Sequence, residues 1–132
     1  VGYLMGVTYT GKQLIRDLLS GDSSSNLSHF GWGAGSTAFH DSQTILGSEL
    51  FPSGGAVTRN TIYTTRNLDN PIRTTLTGRL ESDQLNTGNL YEIGLFTAGS
   101  GGTMFNRQTF YRLLKTGRLR LVDDFYIEVK QI

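Results

Sequence analysis

The chain has no cysteine, only two prolines, a single tryptophan and almost no net charge. Each scarcity excludes something. Without cysteine there is no disulfide framework, no thiolate zinc site and no cysteine nucleophile. Twelve Lys and Arg against eleven Asp and Glu leave a net charge of +1, whereas a dedicated nucleic-acid binder carries a basic face. No apolar run approaches the roughly 20 residues that a bilayer-spanning helix needs. No charged-then-apolar leader opens the chain. A soluble protein is expected, with neither nucleic acid nor membrane as partner. Its 132 residues and 14.5 kDa fit one domain over residues 1–132 with its own core.

Glycine is abundant instead, at 17 residues, and Thr and Ser sit among short apolar runs. That pattern predicts many short strands joined by tight turns. One helix precedes them, over about residues 11–20. Thr10 and Gln13 have capping-box spacing, Leu14, Ile15, Leu18 and Leu19 form an apolar stripe, and Gly21 is placed to terminate the helix in the left-handed region. A polar connector, residues 21–26, leads to six expected strands: 27–32, 56–65, 72–80, 90–96, 103–114 and 118–132. In the third, Ile72, Thr74, Leu76 and Leu80 alternate with Arg73, Thr75, Thr77 and Arg79. Turn signals lie at 68–71, 85–89, 98–102 and 115–117. Short connections favour antiparallel neighbours, so the last three strands are expected to form a meander. The expected fold is mainly β: an antiparallel β-sandwich, jelly-roll or Ig-like, with one short N-terminal α-helix.

The stretch HFGWGAGSTAFHD, residues 29–41, holds the densest set of chemical groups. Gly31, Gly33 and Gly35 are spaced G-x-G-x-G rather than as a dinucleotide fingerprint, and no helix pattern opens after them. Glycines where a strand leaves a sheet more often supply a positive φ or let another backbone approach closely. His29, His40 and Asp41 fall short of the three or four convergent ligands a zinc site needs, unless Asp22 or Glu49 joins them. Asp123 and Asp124 are adjacent, so a strand points them to opposite faces, while Glu81 and Asp83 sit at a strand end. Neither pair fits the paired carboxylates of glycoside hydrolysis, and no nucleophile elbow occurs. No catalytic residue, cofactor or metal is therefore expected. Arg107, Arg112, Arg118 and Arg120 cluster in the final hairpin with Phe105, Phe110 and Tyr111. Without a basic excess these favour a protein interface over single-stranded nucleic acid.

The order of these pieces resembles a group of small structural proteins of tailed-bacteriophage virions, related in pattern to N-terminal domains of phage tail-fibre proteins. The likeness lies in the helix GKQLIRDLLSGD, the strand and loop LSHFGWGAGSTAF, the spacer DSQTILGSELF and the segment NLYEIGLFTAGSGGTMFNRQTF. It covers about 110 residues. Thr44, Leu46 and Glu49 match a T-x-L-x-x-E spacer, and Glu92, Gly94, Leu95 and Phe96 match an E-I/V-G-L-F strand. In the family pattern a basic residue soon follows the spacer; here the first is Arg59. The resemblance implies a non-enzymatic virion subunit, assembled in the host cytoplasm as capsid decoration or cement, or on the tail fibre or baseplate. Its partners would be the major capsid protein or tail and baseplate proteins, and a symmetric homo-oligomer is expected.

Expected contacts are Thr37, Phe39, His40 and Asp41 in one loop, the loop at 97–102, and Arg107, Arg112, Arg118 and Arg120. Trp32, Glu49, Glu92 and Gly94 are expected to be structural, the two glutamates accepting backbone or arginine hydrogen bonds. The rival function is a carbohydrate-binding module or receptor-binding adhesin domain, with Trp32, Tyr63, Tyr91 or Tyr111 as stacking platforms.

Overall fold

A computed structural model describes residues 6–23, 25–52, 58–66, 72–86 and 88–128. The expected turn at 68–71, the start of the expected strand at 56–65 and the last four residues of the chain lie outside these.

The first element is a helix, α1 (Tyr9–Ser20), closed by Gly21 at φ 80°. Its N-cap is Thr8, not Thr10 as expected. The Thr8 hydroxyl accepts from the Gly11 amide at 3.0 Å and donates to the Met104 carbonyl at 2.8 Å. The cap thus also tethers the helix to a strand, which the Thr10–Gln13 spacing could not reveal. Only Leu14 of the apolar stripe is buried; Ile15, Leu18 and Leu19 remain exposed.

Among the described residues eight strands follow: β1 (His29–Gly33), β2 (Glu49–Leu50), β3 (Asn60–Thr61), β4 (Tyr63–Arg66), β5 (Arg73–Leu80), β6 (Gly88–Phe96), β7 (Met104–Lys115) and β8 (Leu121–Glu128). They form two antiparallel sheets. The five-stranded one runs β2-β1-β6-β7, with β3 also paired to β1; the three-stranded one runs β4-β5-β8. The two sheets and the helix share one apolar cluster. Phe30 and Trp32 of β1, Ile93 and Leu95 of β6, Leu76 and Leu80 of β5, and Phe125 of β8 all belong to it. The rings of Phe30 and Phe125 lie 5.4 Å apart between centroids.

The expected closing meander is not formed. β6 and β7 make a hairpin, but β8 pairs with β5, from Arg73 opposite Glu128 to Leu80 opposite Leu121. A short connection can arch from one sheet to the other as readily as it can make a hairpin, and side-chain contacts decide between them. Here Lys115, at the end of β7, is buried. Its ammonium donates to Asn86 Oδ1 at 2.8 Å and to the Thr116 carbonyl at 3.0 Å. This ties the β7–β8 arch to the β5–β6 arch, and burial lowers the lysine pKa.

The alternation expected over 72–80 is observed from Leu76 onward, with Leu76, Gly78 and Leu80 buried, whereas Ile72, expected on the same face, is exposed. Gly78 has no room for a side chain, because a Cβ there would enter the Phe30 ring. Gly78→Ala should therefore destabilise the fold by about 1–3 kcal/mol through overpacking. Denaturant unfolding that shows no loss would contradict this account of the sheet contact.

Candidate functional site: a braced loop and an open groove

The alternation of β6 turns Ile93 and Leu95 into the shared core and sends Glu92 and Gly94 to the opposite face. On that outer face a second structure is built. The carboxylate of Glu92 accepts four hydrogen bonds. Oε1 receives the amides of Gly35 at 3.0 Å and Ser48 at 2.8 Å; Oε2 receives the Gly47 amide at 2.9 Å and Arg107 Nε at 2.7 Å. Both Glu92 and Arg107 are 0 % exposed. The remaining guanidinium nitrogens donate to the loop itself, Nη1 to Gln43 Oε1 at 3.1 Å and Nη2 to Thr37 Oγ1 at 3.4 Å. Residues 34–48 are thereby drawn across the sheet from both ends.

The glycines of HFGWGAGSTAFHD explain how the loop comes so close. A Cβ at Gly33 would collide with Glu92 Oε1, and one at Gly35 would lie 2.6 Å from it. They are neither a phosphate cradle nor a generic turn but the clearance for a buried carboxylate. Gly94 stands opposite Gly31 and Arg107 in the sheet, where a Cβ would meet the Asn106 carbonyl at 2.7 Å.

A second ion pair closes the same face. Arg59 Nε donates to Glu49 Oε2 at 2.5 Å and Nη2 to Oε1 at 2.9 Å, while Nη1 donates to the carbonyls of Ala98 and Gly101, each at 2.9 Å. The guanidinium lies 3.6 Å from the centroid of Phe96, which packs with Leu46 and Met104 as a separate apolar cluster. Arg59 was missed as a site residue. Its signal was its place as the first basic residue after the Glu49 spacer.

The expected contact residues divide. Thr37, Phe39, His40 and Asp41 are exposed on the braced loop. Arg107, expected beside them as an interface residue, is wholly buried and is corrected to a structural role: it lies under residues 34–48, paired with Glu92 and bonded to Gln43 and Thr37. Arg112, Arg118 and Arg120 are exposed, and Arg120 Nε pairs with Glu81 at 2.8 Å. Because β7 and β8 do not pair, these arginines are not one hairpin face. His29 bonds Ser28 Oγ at 2.7 Å and His40 bonds Ser42 Oγ at 2.7 Å. Burial, then Arg59, lowers the His29 pKa. Among the described residues no three His, Cys, Asp or Glu come together. Trp32 is 3 % exposed and presents no stacking face, so the carbohydrate rival loses its strongest residue.

The other feature is a groove between β7 and β8, the end strands of the two sheets. A pocket of about 320 Å³ lies there, with Ile93, Phe110 and Leu121 in its walls. Residues with polar groups line it as well: Trp32, Gln108, Tyr111 and Asp123. Trp32 Nε1 and Gln108 Oε1 are buried without a hydrogen-bond partner among the described residues, a condition that costs about 1–3 kcal/mol for each group. Asp123 shares the inward face of β8 with Leu121 and Phe125, and burial raises its pKa; Asp124 turns outward to Thr77 Oγ1 at 2.6 Å. The signal for this groove was an acid at an inward position of an otherwise apolar alternation.

No family model, curated protein or solved structure matches this chain. What it does therefore has to be argued from its own geometry.

Two outcomes test that geometry. Glu92→Gln leaves the Arg107 charge buried and uncompensated, so it should cost about 3–5 kcal/mol. Glu92→Gln combined with Arg107→Met should cost less than the sum of the two single changes, measured as a double-mutant cycle of unfolding free energies. The second outcome concerns Asp123. Its folded pKa is raised, so its contribution to stability is greatest below the ordinary carboxylate range and is lost as pH rises through the raised value. Asp123→Asn should raise the melting temperature at neutral pH, with the gain shrinking on acidification; a gain that ignores pH would refute the burial of this carboxyl.

Proposed function

We propose that this chain is a non-enzymatic structural subunit of a bacteriophage particle. Its two sheets would form a β-sandwich of jelly-roll or Ig-like type. It would sit on the capsid as decoration or cement, or on the tail fibre or baseplate, and assemble there as a symmetric homo-oligomer. The observation that carries this is the braced loop. A loop that presents Thr37, Phe39, His40 and Asp41 to solvent while buried ion pairs hold its two flanks is pre-organised for contact. It loses little conformational entropy on docking, which is where rigid interfaces gain affinity. The order of motifs around it supports the virion assignment specifically.

Particles purified from cells that carry the gene should contain the protein at a fixed ratio to the major capsid or tail protein, measured by quantitative mass spectrometry. Its absence from them would sink the assignment. Asp41→Lys on the loop should weaken association with such particles by about tenfold, while melting stays within the small range typical of surface changes.

A further inference from the structure

The helix α1 leaves most of its apolar surface in water. Leu14 is buried, and so is Gly11, whose missing side chain lets the helix rest on the Phe105 carbonyl of β7. Ile15 is 42 %, Leu18 41 % and Leu19 84 % exposed. A helix of three turns gains little stability of its own, so an apolar stripe on it normally docks. Contiguous apolar surface left in solvent marks a site of interaction.

The exposed residues form an ordered seam. Lys12, Ile15 and Leu19 follow one another at the three- and four-residue spacing that places side chains in line along a helix. Asp22 continues the line three residues on, just past the Gly21 cap, and all four are exposed. This order is self-complementary. Lys12 and Asp22 are equidistant from position 17, and so are Ile15 and Leu19. Beside a second copy running antiparallel about a two-fold axis at that centre, Ile15 meets the second copy's Leu19, and Lys12 meets the second copy's Asp22. Every contact is then made twice, as an isologous interface requires. Both charges are available for it: among the described residues Lys12 pairs with no acid, and Asp22 bonds only Ser20 Oγ at 3.0 Å. Arg16, near the axis, is already neutralised by Asp17 at 2.8 Å.

We propose that α1 is a homodimer interface, in which two copies pack their helices antiparallel along Lys12, Ile15, Leu19 and Asp22 with Leu18 at the flank. Apolar burial provides the affinity. The two Lys12–Asp22 pairs fix the direction, because a parallel arrangement would set lysine against lysine and aspartate against aspartate. A net charge of +1 leaves the copies little long-range repulsion to overcome. One face of a 12-residue helix offers less than the roughly 800 Å² per partner of a standard interface. The dimer is therefore weak in solution, with a Kd of about 0.1 mM. The proposal gives the homo-oligomer a specific contact but rests on the helix alone, so it stands whether or not the protein belongs to a phage particle.

Sedimentation equilibrium of the full chain at low ionic strength, from roughly 0.01 to 1 mM, brackets that Kd. A reversible monomer–dimer equilibrium is expected. Leu19→Ser should weaken it by about a hundredfold, because every dimer loses two buried leucines. Lys12→Asp, near the start of the helix, and Asp22→Lys, past its end, both suit the helix dipole at exposed positions, so neither threatens folding. Each variant alone should be monomeric, since like charges then face each other at both ends of the seam. Mixed in equal amounts the two variants should dimerise, since the mixed pair restores opposite charges at both ends. A wild-type chain that stays monomeric throughout would overturn the proposal, as would dimerisation undiminished by Leu19→Ser. Charge variants that dimerise alone, or that fail to pair when mixed, would overturn it too. Absence of the protein from phage particles would leave these outcomes unchanged.

Discussion

The buried Glu92–Arg107 pair is the interaction on which the outer face of the molecule depends. An isolated carboxylate or guanidinium without solvent is prohibitive, and a lone pair of them gains little over two apolar residues. What makes this one tenable is completeness. The carboxylate takes three backbone amides besides Nε of Arg107, and the guanidinium spends its other nitrogens on Gln43, Ala38 and Thr37. Every one of those partners except Arg107 belongs to residues 34–48. The charges are therefore satisfied only when that segment lies in one conformation, so an electrostatic requirement becomes a structural specification.

Three other features follow from that requirement. The glycines at 33 and 35 stay bare because the Glu92 carboxylate occupies the space their side chains would fill. Leu46 is carried under the loop to join Phe96 and Met104, giving the sheet an apolar cover on its second face. The Glu49–Arg59 pair then holds the far end of the segment against the turn that follows β6. A loop of 15 residues in the span 34–48 would ordinarily be a mobile connection; these contacts make it part of the fold.

The inner side of the molecule is organised differently. There the two sheets meet through aromatic and branched residues, with Phe30 seated against the bare backbone of Gly78 and near the Phe125 ring. The packing is complete near β1 and opens toward β7 and β8, where the sheets end without pairing to each other. The unpaired polar atoms of Trp32 and Gln108 concentrate at that opening. The Glu92 carboxylate and the Arg107 guanidinium on the outer face are fully partnered, whereas among the described residues Trp32 Nε1 and Gln108 Oε1 at this opening have no partner.

Local chemistry was legible in the sequence. Residue period distinguished the helix from the strands, Gly21 marked the helix end, and the alternation over 72–80 named Leu76 and Leu80 as inward though it wrongly placed Ile72 with them. The roles expected of Glu49 and Glu92 came from residue type and position, and both carboxylates accept arginine in the structure. Pairings across the sheets were not legible, because they join residues far apart in sequence. Thr8 rather than Thr10 caps the helix because its hydroxyl receives the Gly11 amide, in a place fixed by residues 6–8 lying along β7. β8 joins β5 rather than β7, through eight paired positions from Arg73 opposite Glu128 to Leu80 opposite Leu121. Arg107 is internal rather than an interface residue since residues 34–48 fold over it. The sequence by itself determined where the helix and the longer strands lie, for these depend on neighbours in the chain, while the two-residue β2, inside the expected spacer, exists only through its pairing with β1. Only the tertiary structure decided which polar groups find partners and which, like those in the groove, have none among the described residues, because hydrogen-bond satisfaction is settled by what lies across space.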